Sequence, residues 1–291
     1  MRIRTRLSLF WILAISISTL ATVSSSNGDR QAGSGQPMSP EASAGDYFAR
    51  VMSIEADSAA TFHQAGHECY LPIWKRLRGD GIISSVSVFE LIPYDSTTTD
   101  PSAKEYLILA GLDSGSNPDD LLDAERVSPC PDHLRIPVSA ISRSALLTCT
   151  PNSCHGVPEP TYPGAESGIV YLVELIGVEE TPEARAKYRG LMSRFFGPAN
   201  GILVERGMLH CFVAFESVAL LSSTPDAVPW NQIHISDDWD AGGDVDWDSV
   251  YADLFRSEFS CDLDSVWSEL PPTDETYADY HARLIPELCV R

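Results

Sequence analysis

The chain has 291 residues, 44% of them hydrophobic, which is enough for two domains that each bury a substantial core. Its 41 acidic residues outnumber its 20 basic residues, so the formal net charge is −21. A surface of this charge repels nucleic acid and anionic lipid, and nucleic acid is therefore excluded as a partner.

The first 26 residues are predicted to form a secretory signal. Three arginines at positions 2, 4 and 6 precede an apolar run from Leu7 to Val23, and three serines follow it. The run is short for a membrane-spanning helix, so we expect cleavage, with a retained anchor as the alternative. Residues 27–45 are rich in Gly, Ser and Pro and are predicted to be a flexible linker. The protein is expected to be exported, periplasmic or extracellular, with no membrane span after signal removal.

Residues 46–150 are predicted to form the first folded unit. Ser58–Tyr70 has the apolar spacing of a helix that continues towards Leu77, although Pro72 must break or kink it. Asn117 is placed to cap a second helix that starts with Pro118. Four segments have strand patterns: Tyr47–Glu55, Ile82–Pro93, Glu105–Leu112 and Ile136–Cys149.

A Pro-rich linker at 151–167 leads to the second predicted unit, 168–291. Thr181 and Pro182 begin a helix that is predicted to end at Gly197-Pro198, and a second helix is expected over Asp246–Phe259. The expected strands are Ile169–Val178, Gly207–Leu221, Trp230–Ser236 and a final segment within 276–291.

The same order of elements occurs twice, at an offset of 126 residues. Phe62–Glu90 aligns with Tyr188–Glu216 without a gap, with five identities over 29 positions. Each unit reads β-α-β-β-α-β, which is the ferredoxin-like order. The sequence therefore predicts an α+β protein made of two tandem ferredoxin-like repeats that pack on each other.

The phrases FHQAGHECYLPIW and GDGIISSVSVFE resemble the first helix and second strand of the dimeric α+β barrel superfamily. That superfamily includes the antibiotic-biosynthesis monooxygenases, EthD-like proteins and chlorite-dismutase-like haem proteins. The resemblance implies a pseudo-symmetric barrel of the dimeric type, built here by one chain, with a cavity for a small molecule. It also implies a monooxygenase-like or related small-molecule enzyme, or a haem protein.

Apolar residues on both faces of the long strands agree with a barrel. In the first repeat Val86 and Val88 share one face while Phe89 lies on the other. In the second, Phe212 and Ala214 oppose Val213 and Phe215. A sheet with one face in water should alternate more cleanly, so we expect the partner sheet to cover the second face.

A stripe of polar residues on the first helix is one candidate catalytic site. His63, His67 and Tyr70 lie three and four residues apart, and two histidines at this spacing can share a metal. The corresponding residues of the second repeat are Arg189, Ser193 and Phe196, so the stripe belongs to the first repeat. The alternatives are metal or haem iron, acid–base chemistry, or histidines without a ligand.

The second-repeat strands carry another candidate group: His210, Glu216, Asn231 and His234. Pairing of the second and third strands should bring Glu216 near His234, and a His–carboxylate pair in a cavity can act as a general base. Asn231 would orient the ligand. The alternative is that these polar groups satisfy one another structurally.

Six aspartates fall within residues 237–248, and hard cations prefer such oxygen ligands. Asp238, Asp240, Asp244 and Asp246 are therefore weak candidates for a Ca²⁺ site, although no register gives the EF-hand pattern. The alternative is an acidic helix start that complements the helix dipole.

Seven cysteines lie beyond the signal, so an exported protein should form disulfides and leave at least one thiol. Cys149 with Cys154 is the expected local pair, and Cys261 with Cys289 the second. Cys69 and Cys211 sit in apolar patterns and are expected to be buried thiols.

The predicted function is binding of a small apolar molecule in the barrel cavity, with conversion by cofactor-free oxidative or acid–base chemistry. The alternatives are a non-catalytic cell-envelope binding protein stabilised by Ca²⁺ and a haem-binding protein. A monomer and a homodimer are both compatible with the sequence.

Overall fold

The structure is a computed structural model that describes residues 46–93, 102–127, 129–156, 170–225, 227–237, 245–271 and 273–290. The predicted signal (1–26), the flexible linker (27–45) and residues 157–167 of the Pro-rich linker lie outside these ranges.

None of the helices in the described ranges is both long enough and apolar enough to cross a membrane.

Eight strands lie close to the predicted positions. They are β1 (Asp46–Glu55), β2 (Ile83–Pro93), β3 (Ala103–Leu112), β4 (Ile141–His155), β5 (Val170–Val178), β6 (Phe212–Ser223), β7 (Gln232–Asp237) and β8 (Thr273–Leu284).

The helices are α1 (Ala59–Ala65), α2 (Leu71–Gly79), α3 (Pro118–Arg126), α4 (Pro182–Leu191), α5 (Gly197–Glu205), α6 (Trp247–Glu258) and α7 (Leu263–Ser268). Two π-turns, Gly66–Tyr70 and Met192–Phe196, join α1 to α2 and α4 to α5. The expected capping residues act as predicted: Asn117 accepts a hydrogen bond from the Asp119 amide, and Thr181 accepts one from the Ala184 amide.

The strands form a closed antiparallel barrel in the order β1-β3-β2-β8-β5-β7-β6-β4. The first half contributes β4-β1-β3-β2 and the second half β8-β5-β7-β6, which is the same ferredoxin-like order. The two sheets join where β2 pairs with β8 and where β4 pairs with β6. The predicted α+β barrel of two ferredoxin-like units is confirmed by this topology.

Both faces of each sheet are covered. A barrel-interior cluster receives apolar side chains from all eight strands, among them Val51, Phe89, Leu107, Leu147, Tyr171, Phe215, Ile233 and Tyr280. On the opposite faces, the helices of each half pack over their own sheet in two further clusters. The molecule thus has three apolar layers, and the predicted burial of the second strand face is confirmed.

The first helices of the two halves share one irregularity at the same offset of 126. Each proline, Pro72 and Pro198, follows a π-turn and occupies the second position of the next α-helix. The prediction that the first helix of the second unit ends at Gly197-Pro198 is wrong, because the chain continues as α5. A proline normally clashes with the carbonyl four residues earlier, and the wider π-turn contains that carbonyl and makes room for the ring.

The cysteine pairing agrees with the prediction in one of two bonds. Cys149 bonds to Cys154, closing a bulge in β4, and Cys69 bonds to Cys130. Cys69 is therefore not a buried thiol, whereas Cys211 is. The expected Cys261–Cys289 bond does not form, because Cys261 packs on the helix layer of the second half and Cys289 against the barrel-interior cluster.

The disulfide-closed bulge of β4 docks on the helices of the second half. A Cβ added at Gly197 would lie 2.2 Å from the Asn152 carbonyl oxygen, so only glycine permits this approach. The Asn152 side chain donates to the Ser193 carbonyl at 3.1 Å. A first-half strand is thereby fixed to a second-half helix outside the barrel.

We expect Gly197→Ala to lower the free energy of unfolding by about 2 kcal/mol or more, because the methyl group would separate α5 from the bulge. The matched control is Gly190→Ala in α4, where an added Cβ meets only the Arg194 side chain at 3.8 Å. That change should raise stability by about 0.5–1 kcal/mol through helix propensity. Urea denaturation of both variants tests the contact, and equal effects would contradict it.

Candidate functional site

The strongest cluster of polar side chains lies between the second-half sheet and its helices. Glu174 on β5 sits directly opposite His234 on the neighbouring strand β7. Tyr188 projects from α4 onto the same face, where its ring stacks near that of His234. Three elements that are remote in sequence therefore meet at one histidine.

His234 is bonded through both ring nitrogens. Its Nδ1 lies 3.1 Å from Glu174 Oε2, and its Nε2 lies 3.0 Å from the Tyr188 hydroxyl. Because an ionised carboxylate can only accept, Nδ1 carries the proton towards Glu174. In the neutral ring Nε2 then accepts from the Tyr188 hydroxyl, and the three side chains form a directed relay.

Burial makes this relay asymmetric. His234 is 7% exposed, whereas the side chain of Glu174 keeps 23% of its surface accessible. Burial, and then the charge of Glu174, raise the pKa of Tyr188 well above its ordinary value, so its hydroxyl stays protonated at neutral pH. The relay thus runs from an enclosed phenol to a partly accessible carboxylate.

A second buried pair lies close to the relay. The Tyr251 hydroxyl donates to Asn200 Oδ1, and the Asn200 side chain donates to the Phe196 carbonyl. Burial raises the pKa of Tyr251, and the charge of Glu174 raises it further. The charge of Glu174 therefore raises the pKa of two tyrosines, Tyr188 on α4 and Tyr251 on α6.

The sequence predicts Glu216 near His234, but in the structure the carboxylate that bonds to His234 is that of Glu174. Glu216 lies on the same face of the sheet, but Arg189 holds its carboxylate at 2.8 Å. His210 precedes β6 and contacts Asp237 through Nδ1 at 2.8 Å. Asn231 spans the backbone amide and carbonyl of Val178. Of the four predicted residues, only His234 belongs to the relay.

The first-helix stripe is spread over two kinds of helix. His63 lies in α1 and packs against Phe62 and Tyr106, while His67 and Tyr70 lie in the π-turn. His67 is exposed, and Tyr70 packs against Trp74. The wider turn changes the angular spacing that the α-helical pattern assumed. The stripe does not converge on one point.

No group of three or more metal-ligating side chains is found in the part of the chain that the structure describes. Asp238, Asp240 and Asp244 lie outside the described residues. Asp246 caps α6 by accepting from the amide and the hydroxyl of Ser249, and these hydrogen bonds lower its pKa. Asp246 therefore has the helix-start role that was the alternative to calcium binding.

The buried histidine does not fit the haem group that the resemblance implies. All seven lie in the described ranges, and His234 is the one that is buried. Both of its ring nitrogens are already hydrogen-bonded, so it offers no vacant axial ligand as placed.

Sequence reasoning missed Glu174 and Tyr188. Glu174 is the single charged residue in the strand VYLVELIGV, and an isolated charge in a buried strand needs a partner. Tyr188 aligns with Phe62 in the repeat, which marks it as a core position that carries a hydroxyl. These two signals would have pointed to the relay.

Comparison with known proteins gives remote structural matches only. No protein-family model and no curated protein matches the chain. A mutant chlorite dismutase from Candidatus Nitrospira defluvii in complex with cyanide matches with 8% identity and a TM-score of 0.40, covering 84% of this chain and 94% of that one. An anthrone oxidase-like protein matches with 12% identity and a TM-score of 0.41, covering 82% and 91%.

We expect stability to fall above about pH 10, where the unfolded chain ionises its tyrosines. The pKa of Tyr188 is raised in the folded protein, so its contribution is complete below the unfolded pKa and is lost as pH rises towards the folded value. Tyr188→Phe should reduce the loss by up to about 1.4 kcal/mol per pH unit. Urea denaturation between about pH 9 and pH 11 measures the slope. Identical slopes in both proteins would rule out this contribution.

Replacing a histidine should lower the free energy of unfolding only where its ring is hydrogen-bonded within the protein. His234→Ala leaves Glu174 and Tyr188 without their shared partner, and we expect a loss of about 2–4 kcal/mol in the free energy of unfolding. His67→Ala removes an exposed ring and should change stability by less than about 0.5 kcal/mol. Thermal and urea unfolding of both variants provide the comparison. A neutral His234→Ala would mean that the relay is not formed.

Proposed function

We propose that this is an exported protein that binds a small apolar molecule and performs acid–base chemistry on it through Glu174, His234 and Tyr188. The proposed site lies over the second-half sheet and replaces the barrel cavity expected from the sequence, because apolar side chains from all eight strands occupy the barrel interior. The observation that carries the proposal is the accessible end of the relay. Glu174 keeps 23% of its side-chain surface exposed, while His234 behind it is almost completely enclosed. A carboxylate that is held in position by a hydrogen bond and that a ligand can reach is able to act as a general base.

Each residue has a separate task in this proposal. The Glu174 carboxylate accepts a proton from a C–H or O–H bond of the bound molecule. The Nδ1–H of His234 orients that carboxylate, and the hydroxyl of Tyr188 fixes the imidazole tautomer. His234 and Tyr188 are positioning residues. An apolar ligand fits because the surrounding helix layer is made of aliphatic and aromatic side chains.

Export is supported by the disulfides and the charge. Cys69–Cys130 and Cys149–Cys154 need an oxidising compartment to persist. The predicted signal at 1–26 would deliver the chain to the periplasm or beyond. A net charge of −21 favours a soluble exported protein without nucleic-acid partners, either as a monomer or as a homodimer.

The test is native mass spectrometry of the purified protein after incubation with a mixed extract of small apolar metabolites. The native protein should retain an added mass that Glu174→Gln loses by at least tenfold in occupancy. The matched control is Glu90→Gln, since Glu90 lies in the first half and bonds to Lys104 at 2.7 Å. Retention of the same adduct by Glu174→Gln would place the ligand elsewhere.

The chemical step has its own readout. The retained molecule, recovered after incubation in heavy water, should carry deuterium when bound to the native protein and none when bound to His234→Gln. Equal incorporation with both proteins would leave binding but remove the acid–base role.

A further inference from the structure

The end of the barrel where β4 begins contains a buried cation that the relay does not use. Arg143 is 6% exposed and its guanidinium lies 5.3 Å from the ring centre of Trp230. Trp230 belongs to the barrel-interior cluster and is itself fully buried. A charged group thus caps an apolar interior.

The hydrogen bonding of Arg143 is incomplete. Its Nη1 reaches the Ser223 hydroxyl at a long 3.4 Å, and its buried Nε has no partner. No ion pair joins Arg143 to a carboxylate of the described chain segments, and Glu180 acts on it only as a more distant charge. Burial lowers the pKa of Arg143, while the charge of Glu180 raises it. A buried cation in this state costs several kcal/mol unless an anion completes it.

The contrast with the other buried arginine supports this interpretation. Arg50 is equally enclosed and its Nε likewise has no partner, but its Nη1 bonds to Glu125 at 2.8 Å, and Trp74 donates to the same carboxylate. The fold therefore supplies an internal anion to one buried arginine and none to the other. The described chain segments supply no carboxylate at Arg143 that corresponds to Glu125 at Arg50.

The hydrogen-bond donors of Arg143 indicate which class of anion would bind there. Ser223 takes Nη1, which leaves the edge formed by Nε and Nη2, and that edge matches a carboxylate through two parallel hydrogen bonds. Glu180 adds negative charge to the surroundings of Arg143, which disfavours a dianion such as phosphate. Trp230 and Val51 offer an apolar surface to the remainder of the ligand.

We propose that Arg143 and Trp230 form a binding site for a small organic monocarboxylate at this end of the barrel. The site lies on the opposite face of the sheet from Glu174 and His234, and it is independent of the function proposed for them.

The probe is sodium benzoate, compared with benzamide and with sodium chloride at equal concentration. Thermal unfolding of the purified protein in about 10 mM benzoate should show a Tm increase of about 2–4 °C over chloride, with no increase in benzamide. Arg143→Met should lose the increase, and without ligand it should unfold at or above the native Tm. Arg194→Met is the matched control, because Arg194 also stacks on an aromatic ring, Phe195, but is exposed. It should keep the full response.

Three results would overturn the proposal: no response of the native protein to benzoate, acetate or hexanoate; the same response in Arg143→Met; or a larger Arg143-dependent response to sodium phosphate. If Arg143→Met does not fold, Arg143→Lys decides. Lysine keeps the positive charge but lacks the two parallel N–H donors of the guanidinium. Calorimetric titration of this variant should therefore show benzoate binding at least tenfold weaker, and an unchanged affinity would refute the site. Glu174→Gln should retain the benzoate response, which separates this test from that of the relay.

Discussion

The structure depends on closing the edges of two four-stranded sheets. A ferredoxin-like sheet alone would leave β2 and β4 with unpaired backbone groups, and an exposed edge is open to association with other strands. Here β8 pairs with β2, and β6 pairs with β4, so each sheet satisfies the other. Closure also buries the inner faces together, which creates an apolar interior that neither half could form alone. The two helix layers then need only cover the outer faces.

The two halves use equivalent positions for different buried polar groups. The strand register places Arg50 opposite Ile108 in the first half and Glu174 opposite His234 in the second. Arg50 is neutralised by Glu125 from α3, whereas Glu174 is held by His234 from the sheet. In the first half the charge of Arg50 is therefore compensated by Glu125, and both side chains are buried. In the second the charge of Glu174 remains partly accessible, and this difference is why the second half carries the candidate site.

The sequence predicts the helices and strands better than it predicts which side chains contact each other. Strand positions and helix caps follow from local patterns, and the structure places them as expected. The continuation of the helix past Pro198 was missed because a π-turn has no simple sequence signature. The Cys69–Cys130 bond depends on the segment at Asp132–Leu134 folding back beneath α1, which is a long-range event. Glu174 was missed for the same reason, since its pairing with His234 is fixed by strand register across 60 residues.

The alternation of side chains along the strands keeps the relay apart from the barrel end. On β5, Glu174 faces the helices while Val173 and Leu175 enter the barrel interior. On β4, Arg143 caps that interior, so a ligand at Arg143 and a ligand at Glu174 would be separated by the full thickness of the sheet. Each strand is hydrogen-bonded on both sides in the closed barrel, which resists the sliding needed to transmit a local change. Substitutions in the two sites share no partner and should therefore have additive effects on stability.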